Sequence, residues 1–376
     1  MKSPLCRMLG IEFPLFAFSH CRDVVAAVSN AGGFGVLGAS GHTPEELDIE
    51  LRWIDEHVNG RPYGADIIVP ENLEGRDQPI DPGSLRARIP QRHKDFVTDL
   101  LARHQVSADL ERNSFASRSA NVMPQNAERL MEVAFSHPIR LIANALGVPP
   151  KSMIDLGRRH GVPVAALIGA KEHAVRQVQA GVDVLVAQGT EAGGHCGEVS
   201  TLVLIPEVLR AIAPIRDVPV LAAGGIVTGR QMAALMAMGA AGVWTGSVWL
   251  TTSESDVSPV VKEKLLQANS RDTVRSKGRT GKPSRQLKSH WTEAWEGPDS
   301  PGALPMPLQS MISEPALRRA EEEAQRGNAA ARELVSYWVG QGVGLLDGVK
   351  SARTVVREFM EDFAEAGERL GSLMQE

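Results

Sequence analysis

An imidazole, a carboxylate and three glycines stand within eight residues in Gln188-Gly189-Thr190-Glu191-Ala192-Gly193-Gly194-His195. His195 carries the side chain best suited to proton transfer near neutrality. Glu191 could orient the imidazole or cap a turn, and the Gln188 amide could hydrogen-bond a flat heterocycle bearing carbonyl and N–H groups. Glycine lets the backbone approach a ligand closely. Two more glycine sites follow, Gly224-Gly225 and Thr245-Gly246-Ser247. Backbone N–H groups at such turns and at helix starts bind phosphate; the alternative is that these glycines only make tight turns. His20 is a second histidine candidate, whereas His160 and His173 are assigned to the surface. Cys6, Cys21 and Cys196 form no C-x-x-C pair, and no carboxylate cluster or HxxxH spacing suggests a metal, so a reducing cytoplasm is expected. Cys196, beside His195, is read as inert filler rather than a redox thiol.

These residues need strands to hold them. Apolar runs at Phe13–Phe18, Gly35–Ala39, Ala65–Val69, Arg140–Ala145, Val164–Ile168, Val182–Ala187, Val218–Ala222 and Ala241–Trp244 read as buried parallel strands. Segments of helical period lie between them, among them Arg22–Ala31, Thr43–Val58, Pro150–His160, Lys171–Ala180, Leu202–Ala213 and Thr228–Met238. Alternation of this kind over about 250 residues predicts an α/β TIM (β/α)8 barrel. Loops at the carboxyl ends of such strands carry function, which puts all three glycine sites on one face. A doubly wound sheet is the second choice, but after Phe18 the chain reads Ser19-His20-Cys21-Arg22 in place of the G-x-G-x-x-G turn that fold wants.

With 376 residues, 43% of them hydrophobic, the chain can bury a large core. A net charge of −5 with scattered Lys and Arg gives no nucleic-acid footprint, no apolar run reaches the length of a membrane helix, and no signal peptide is read. The organisation expected is a barrel over residues 1–252, with residues 70–123 inserted after the third strand above the barrel mouth, as a candidate lid. A mainly helical extension over 253–376 packs on the barrel. The basic run Arg271 to Lys288 is read as a solvated loop, and Trp291 and Trp295, at helical spacing, as packing residues.

Together with Ala222-Ala223-Gly224-Gly225-Ile226 and Trp244-Thr245-Gly246-Ser247, the Gln188–His195 run resembles the nitronate monooxygenase family, flavin barrels formerly called 2-nitropropane dioxygenases. The resemblance spans about Phe13 to Leu250. It implies FMN as cofactor, with Gly224, Gly225, Thr245, Gly246 and Ser247 holding its phosphate, Gln188 and Gly193 near its ring, and Gly194 and Trp244 among the other cofactor-binding residues. His195 falls on the family's catalytic histidine. Ala17-Phe18-Ser19 stands where the family has an Ala-Pro-Met-like turn under the flavin. Asp66 stands where the family often has Asn, and could lower the flavin potential or accept a flavin N–H.

The activity implied is oxidation of an alkyl nitronate with O2, His195 acting as acid/base or as hydrogen-bond donor to the nitro group. One alternative is an NAD(P)H-dependent flavin reductase acting on an enoyl thioester or quinone; another, of a different class, is a non-catalytic binder of FMN or another phosphate ligand. An aldolase or isomerase barrel is weakened by the absence of a lysine at the strand ends. The partners expected are a small-molecule substrate and O2, with no nucleic acid and no membrane, and a homodimer is kept open.

Overall fold

The computed structural model describes residues 1, 3–69, 82–107 and 124–374. Eight parallel strands form a closed barrel: β1 (Leu15–Ser19), β2 (Phe34–Gly38), β3 (Tyr63–Asp66), β4 (Leu141–Asn144), β5 (Val164–Ile168), β6 (Val184–Gln188), β8 (Val220–Ala223) and β9 (Gly242–Thr245). The ring closes where β9 pairs with β1, Leu15 against Val243 and Ala17 against Thr245. The TIM barrel expected from the sequence is therefore the fold found. β7 (Gly194–His195) lies outside the ring, in a three-stranded antiparallel sheet with β10 (Thr273–Ser276) and β11 (Ser284–Leu287).

Alternation along each strand sorts the side chains into two layers. Phe16, Val36, Ala143, Val186, Leu221 and Trp244 fill the barrel interior, and Leu5, Cys6 and Leu9 of the helix Pro4–Leu9 join that cluster where the strands begin. Leu15, Ala17, Leu37, Ala65, Ala187 and Val243 face the surrounding helices. Helix starts follow local chemistry: Thr43 and Glu46 form a capping box before Pro44–His57, as do Thr228 and Gln231 before Gly229–Ala237.

Packing groups the chain differently from a boundary at residue 252. The last helix, Ala352–Leu373, puts Val355, Val356 and Phe359 into the barrel's outer core and packs against helices Gly229–Ala237 and Arg22–Asn30. Lying between the helices of the seventh and first barrel units, it occupies the eighth helical position of the ring. A second core, the cap, unites Val97, Leu100 and Leu101 of helix Gln91–Arg103 with Trp291, Trp295, Met311, Ile312 and Val343. The described part of the insertion, residues 82–107, is thus built into the cap; residues 70–81 and 108–123, and with them most of the candidate lid, lie outside the described residues. Trp291 and Trp295 are packing residues as expected, with ring centroids 5.9 Å apart. Among the described residues no helix is long and apolar enough to cross a membrane.

The run Arg271 to Lys288 is not a solvated loop. It forms β10 and β11, and two of its arginines are held by residues remote in sequence. The Arg279 guanidinium pairs with Glu314 at 2.7 Å and lies 3.7 Å over the Trp338 ring. Arg285 donates to the Thr190 carbonyl at 2.9 Å.

The final helix docks closely enough to require glycine. A Cβ at Gly229 would sit 1.8 Å from the Phe359 carbonyl oxygen and 2.6 Å from the Phe363 nitrogen, both backbone atoms. Gly229→Ala is therefore expected to lower stability by about 3 kcal/mol, the upper end for overpacking, read as an earlier midpoint in chemical denaturation.

Candidate active site

The carboxyl ends of β1, β3, β6, β8 and β9 share one mouth of the barrel, and the sequence candidates gather there. After β6 the chain turns at Gly189. Glu191 folds back so that its carboxylate accepts from the Thr201 N–H at 2.9 Å and the Thr201 hydroxyl at 2.9 Å. Glu191 thus fastens the start of helix Thr201–Ile212, where a carboxylate also meets the positive end of the helix dipole. It is a capping residue, not the partner of His195.

His195 is placed by the cap. Its backbone lies in β7, opposite Ser284 of β11, and its Nε2 is 2.9 Å from Thr280 Oγ1 in the loop between β10 and β11. Burial, reinforced by the positive charge of Lys282, pushes its pKa down to about 4. The imidazole is neutral at physiological pH. Sequence reasoning found the histidine but not Thr280 or Lys282, which lie some 85 residues further along the chain.

The glycine sites divide. At Gly193, Gly224 and Gly225 a Cβ would approach protein at 2.8, 2.8 and 2.9 Å, so these glycines serve close packing, and Gly224 and Gly225 also hold φ of +108° and +71°. At Gly194 and Gly246 a Cβ would meet nothing within 4 Å, leaving backbone open to the mouth. The N–H groups of Gly224, Gly225, Gly246 and Ser247 donate to no described residue. Four such donors at two adjacent strand ends are chemically suited to an anion with several oxygens. Ser247 Oγ accepts from the Gly340 N–H at 2.8 Å, which ties this turn to the cap.

Several candidates have their side chains committed elsewhere. Thr245 donates to the Phe16 carbonyl at 2.8 Å and accepts from Trp249 Nε1 at 2.9 Å. Trp244 stacks on Phe16 and Phe18 inside the barrel, with centroids 6.0 and 6.3 Å apart. Ala17 faces the helices, and Ser19 Oγ accepts from the Cys21 N–H at 3.1 Å. Phe18 is half-buried at the end of β1 beside His20, whose Nδ1 lies 2.8 Å from the Gly38 carbonyl. Gln188, half-buried at the end of β6, hydrogen-bonds no described residue through its amide. Burial pushes the Cys196 thiol up, in keeping with an inert residue. His160 and His173 are exposed, and among the described residues no group of side chains is arranged to hold a metal ion.

Asp66 is the outlier. It ends β3, is 3% exposed, and its Oδ1 has no hydrogen-bond partner among the described residues. Burial alone pushes its pKa up to about 7. The neighbouring Asn144, also buried, is satisfied: it accepts from the Val69 N–H at 2.8 Å and donates to the Gly147 carbonyl at 3.2 Å. An orphaned buried carboxyl at a barrel mouth is suited to an N–H donor from a bound molecule.

Comparison with known proteins agrees with this fold. The profile of the nitronate monooxygenase family matches residues 2–362. A Mycobacterium tuberculosis protein named as a monooxygenase is 53% identical over 378 residues, covering 100% of both chains. A Staphylococcus aureus protein named as a nitronate monooxygenase is 26% identical over 90% of this chain and 91% of its own. Among solved structures, the nitroalkane oxidase of Streptomyces ansochromogenes superposes with a TM-score of 0.78 at 25% identity, covering 97% of this chain and 99% of that one. FabK of Thermotoga maritima superposes at 0.72 with 26% identity over 99% of each chain.

Proposed function

This chain belongs to the nitronate monooxygenase family and is an oxidoreductase, and from that premise we propose that it uses FMN to oxidise alkyl nitronates with O2, releasing a carbonyl product and nitrite. The observation that carries the reading is the convergence on one barrel mouth of four unpartnered backbone N–H groups, an orphaned buried carboxyl and a neutral histidine.

The residues present fit the cofactor. Gly224, Gly225, Gly246 and Ser247 would hold the phosphate through their N–H groups. Asp66 would take an N–H of the ring, and Gln188, Gly193 and Gly194 would border it, with contacts at Ala17, Trp244 and Thr245 limited to backbone or to support from behind. When bound, FMN supplies the electron acceptor for the substrate and the route from it to O2.

His195 would hydrogen-bond the nitro oxygens. Its low pKa supports the second of the two roles open from the sequence, the hydrogen-bond donor. A base with a pKa near 4 is poorly matched to a neutral nitroalkane, a far weaker acid than the imidazolium it would form, and each unit of mismatch costs about 1.4 kcal/mol. A preformed nitronate needs no such transfer. The kcat/KM for a nitronate is therefore expected to exceed that for the parent nitroalkane by at least about tenfold at pH 7, read by oxygen consumption.

The deciding experiment is an anaerobic visible spectrum before and after a propionate nitronate, and separately before and after NADPH or NADH. Bleaching or a radical spectrum with the nitronate is the expected result. Bleaching with the nicotinamide alone would make the protein a flavin reductase, and no flavin bands even after added FMN would end the reading.

A further inference from the structure

We propose that the loop between β10 and β11 is the positioning device of His195: Thr280 fixes which ring nitrogen is free, and Lys282 draws an anionic substrate toward it. The inference rests on the reading that His195 meets the substrate.

The geometry starts from one hydroxyl. Thr280 Oγ1 lies 3.1 Å from the Lys282 carbonyl and accepts from the Lys282 N–H at 3.3 Å. Its single proton goes to the nearer acceptor, His195 Nε2 at 2.9 Å. The ring is then the Nδ1–H tautomer, and Nδ1–H, which bonds no described residue, is free to donate to a nitro oxygen. Thr280 is itself 4% exposed, so the contact is sheltered from competing water.

Charge follows from the same loop. The Glu191 carboxylate of the histidine's own segment is occupied by Thr201. From β10, Arg275 reaches the Cys196 carbonyl and Glu198; from β11, Arg285 reaches Thr190 and Thr273. Lys282 is exposed and has no carboxylate partner among the described residues. It is the charge that acts on the imidazole, and an uncompensated cation beside a neutral histidine attracts a small anion without competing for the ring proton.

The test is an NMR titration of the histidines in the full-length flavin-loaded protein, with the His195 signal assigned by its loss in His195→Gln. Wild type is expected to show the Nδ1–H tautomer and a titration well below that of an exposed histidine. Lys282→Met should raise the His195 pKa by about one unit and raise KM for a nitronate several-fold with kcat less affected. Thr280→Val should mix the tautomers and lower kcat, and Thr280→Ser should restore both. An unchanged titration and KM in Lys282→Met, or an unchanged tautomer in Thr280→Val, would overturn the proposal. The NMR readout needs no turnover, so absence of nitronate oxidation alongside the expected titration would refute the proposed reaction and leave the loop's role standing.

Discussion

His195→Ala should lower kcat/KM for a nitronate by about 10²–10³-fold, the range for losing one hydrogen-bond donor placed where charge develops in the transition state. Flavin binding should survive, because the N–H donors assigned to the phosphate lie on the turns after β8 and β9 and none of them depends on the imidazole. The fold should survive as well. His195 makes one side-chain hydrogen bond, to Thr280, whose hydroxyl keeps its second partner at Lys282 when the ring is removed. The informative measurement is the split between steps. Anaerobic bleaching by nitronate should slow by the same factor as turnover, while the reaction of prereduced protein with O2 should change little. Equal slowing of both half-reactions would show that the histidine does not act on the nitronate.

The second large effect is at Asp66. Its pKa is raised from 3.8 to about 7 by burial, so between these values the folded chain retains a proton that the unfolded chain has lost. Stability then falls as pH rises through that window and is lowest above pH 7. Asp66→Asn removes the ionisation and keeps the shape. The variant without flavin should gain stability relative to wild type on the order of 4 kcal/mol at pH 8 and almost none near pH 4, read by denaturant titration at both pH values. If Asp66 accepts a flavin N–H, adding FMN should narrow the gap at pH 8, because the donor stabilises the carboxylate of wild type. The same substitution should raise the flavin midpoint potential at pH 8 by about 30 mV or more, equal to 1.4 kcal/mol for a two-electron couple. A gap and a potential both indifferent to FMN would place Asp66 away from the ring.

The sequence carried the barrel because barrel strands are short continuous apolar runs, visible without any knowledge of their neighbours. β5 is matched residue for residue at Val164–Ile168. β3 is the informative departure, found at Tyr63–Asp66 rather than Ala65–Val69. Ile67 and Val69 are buried but continue past the ladder, where the Val69 N–H is taken by Asn144. Apolar character reports burial; it does not report which carbonyl completes a hydrogen bond. The glycine turns were legible because glycine marks positions that backbone geometry restricts. The hairpin of β10 and β11 was not, because a run of arginines looks solvated until Glu314 and Trp338 arrive from elsewhere in the chain. For the same reason His195 could be named and its partner could not.

The helix Ala352–Leu373 completes the ring although the whole cap precedes it in the chain. During synthesis the first seven barrel units leave the ribosome with one flank of helices Gly229–Ala237 and Arg22–Asn30 uncovered, and they stay so while roughly a hundred further residues are added, several seconds at ordinary elongation rates. Emergence of this last helix, and not of β9, is therefore the event that seals the apolar flank, which makes the nascent chain in this interval a natural client for a chaperone. Polar substitution of Val356 and Phe359, which cover this flank, should accordingly lower soluble yield in the cell.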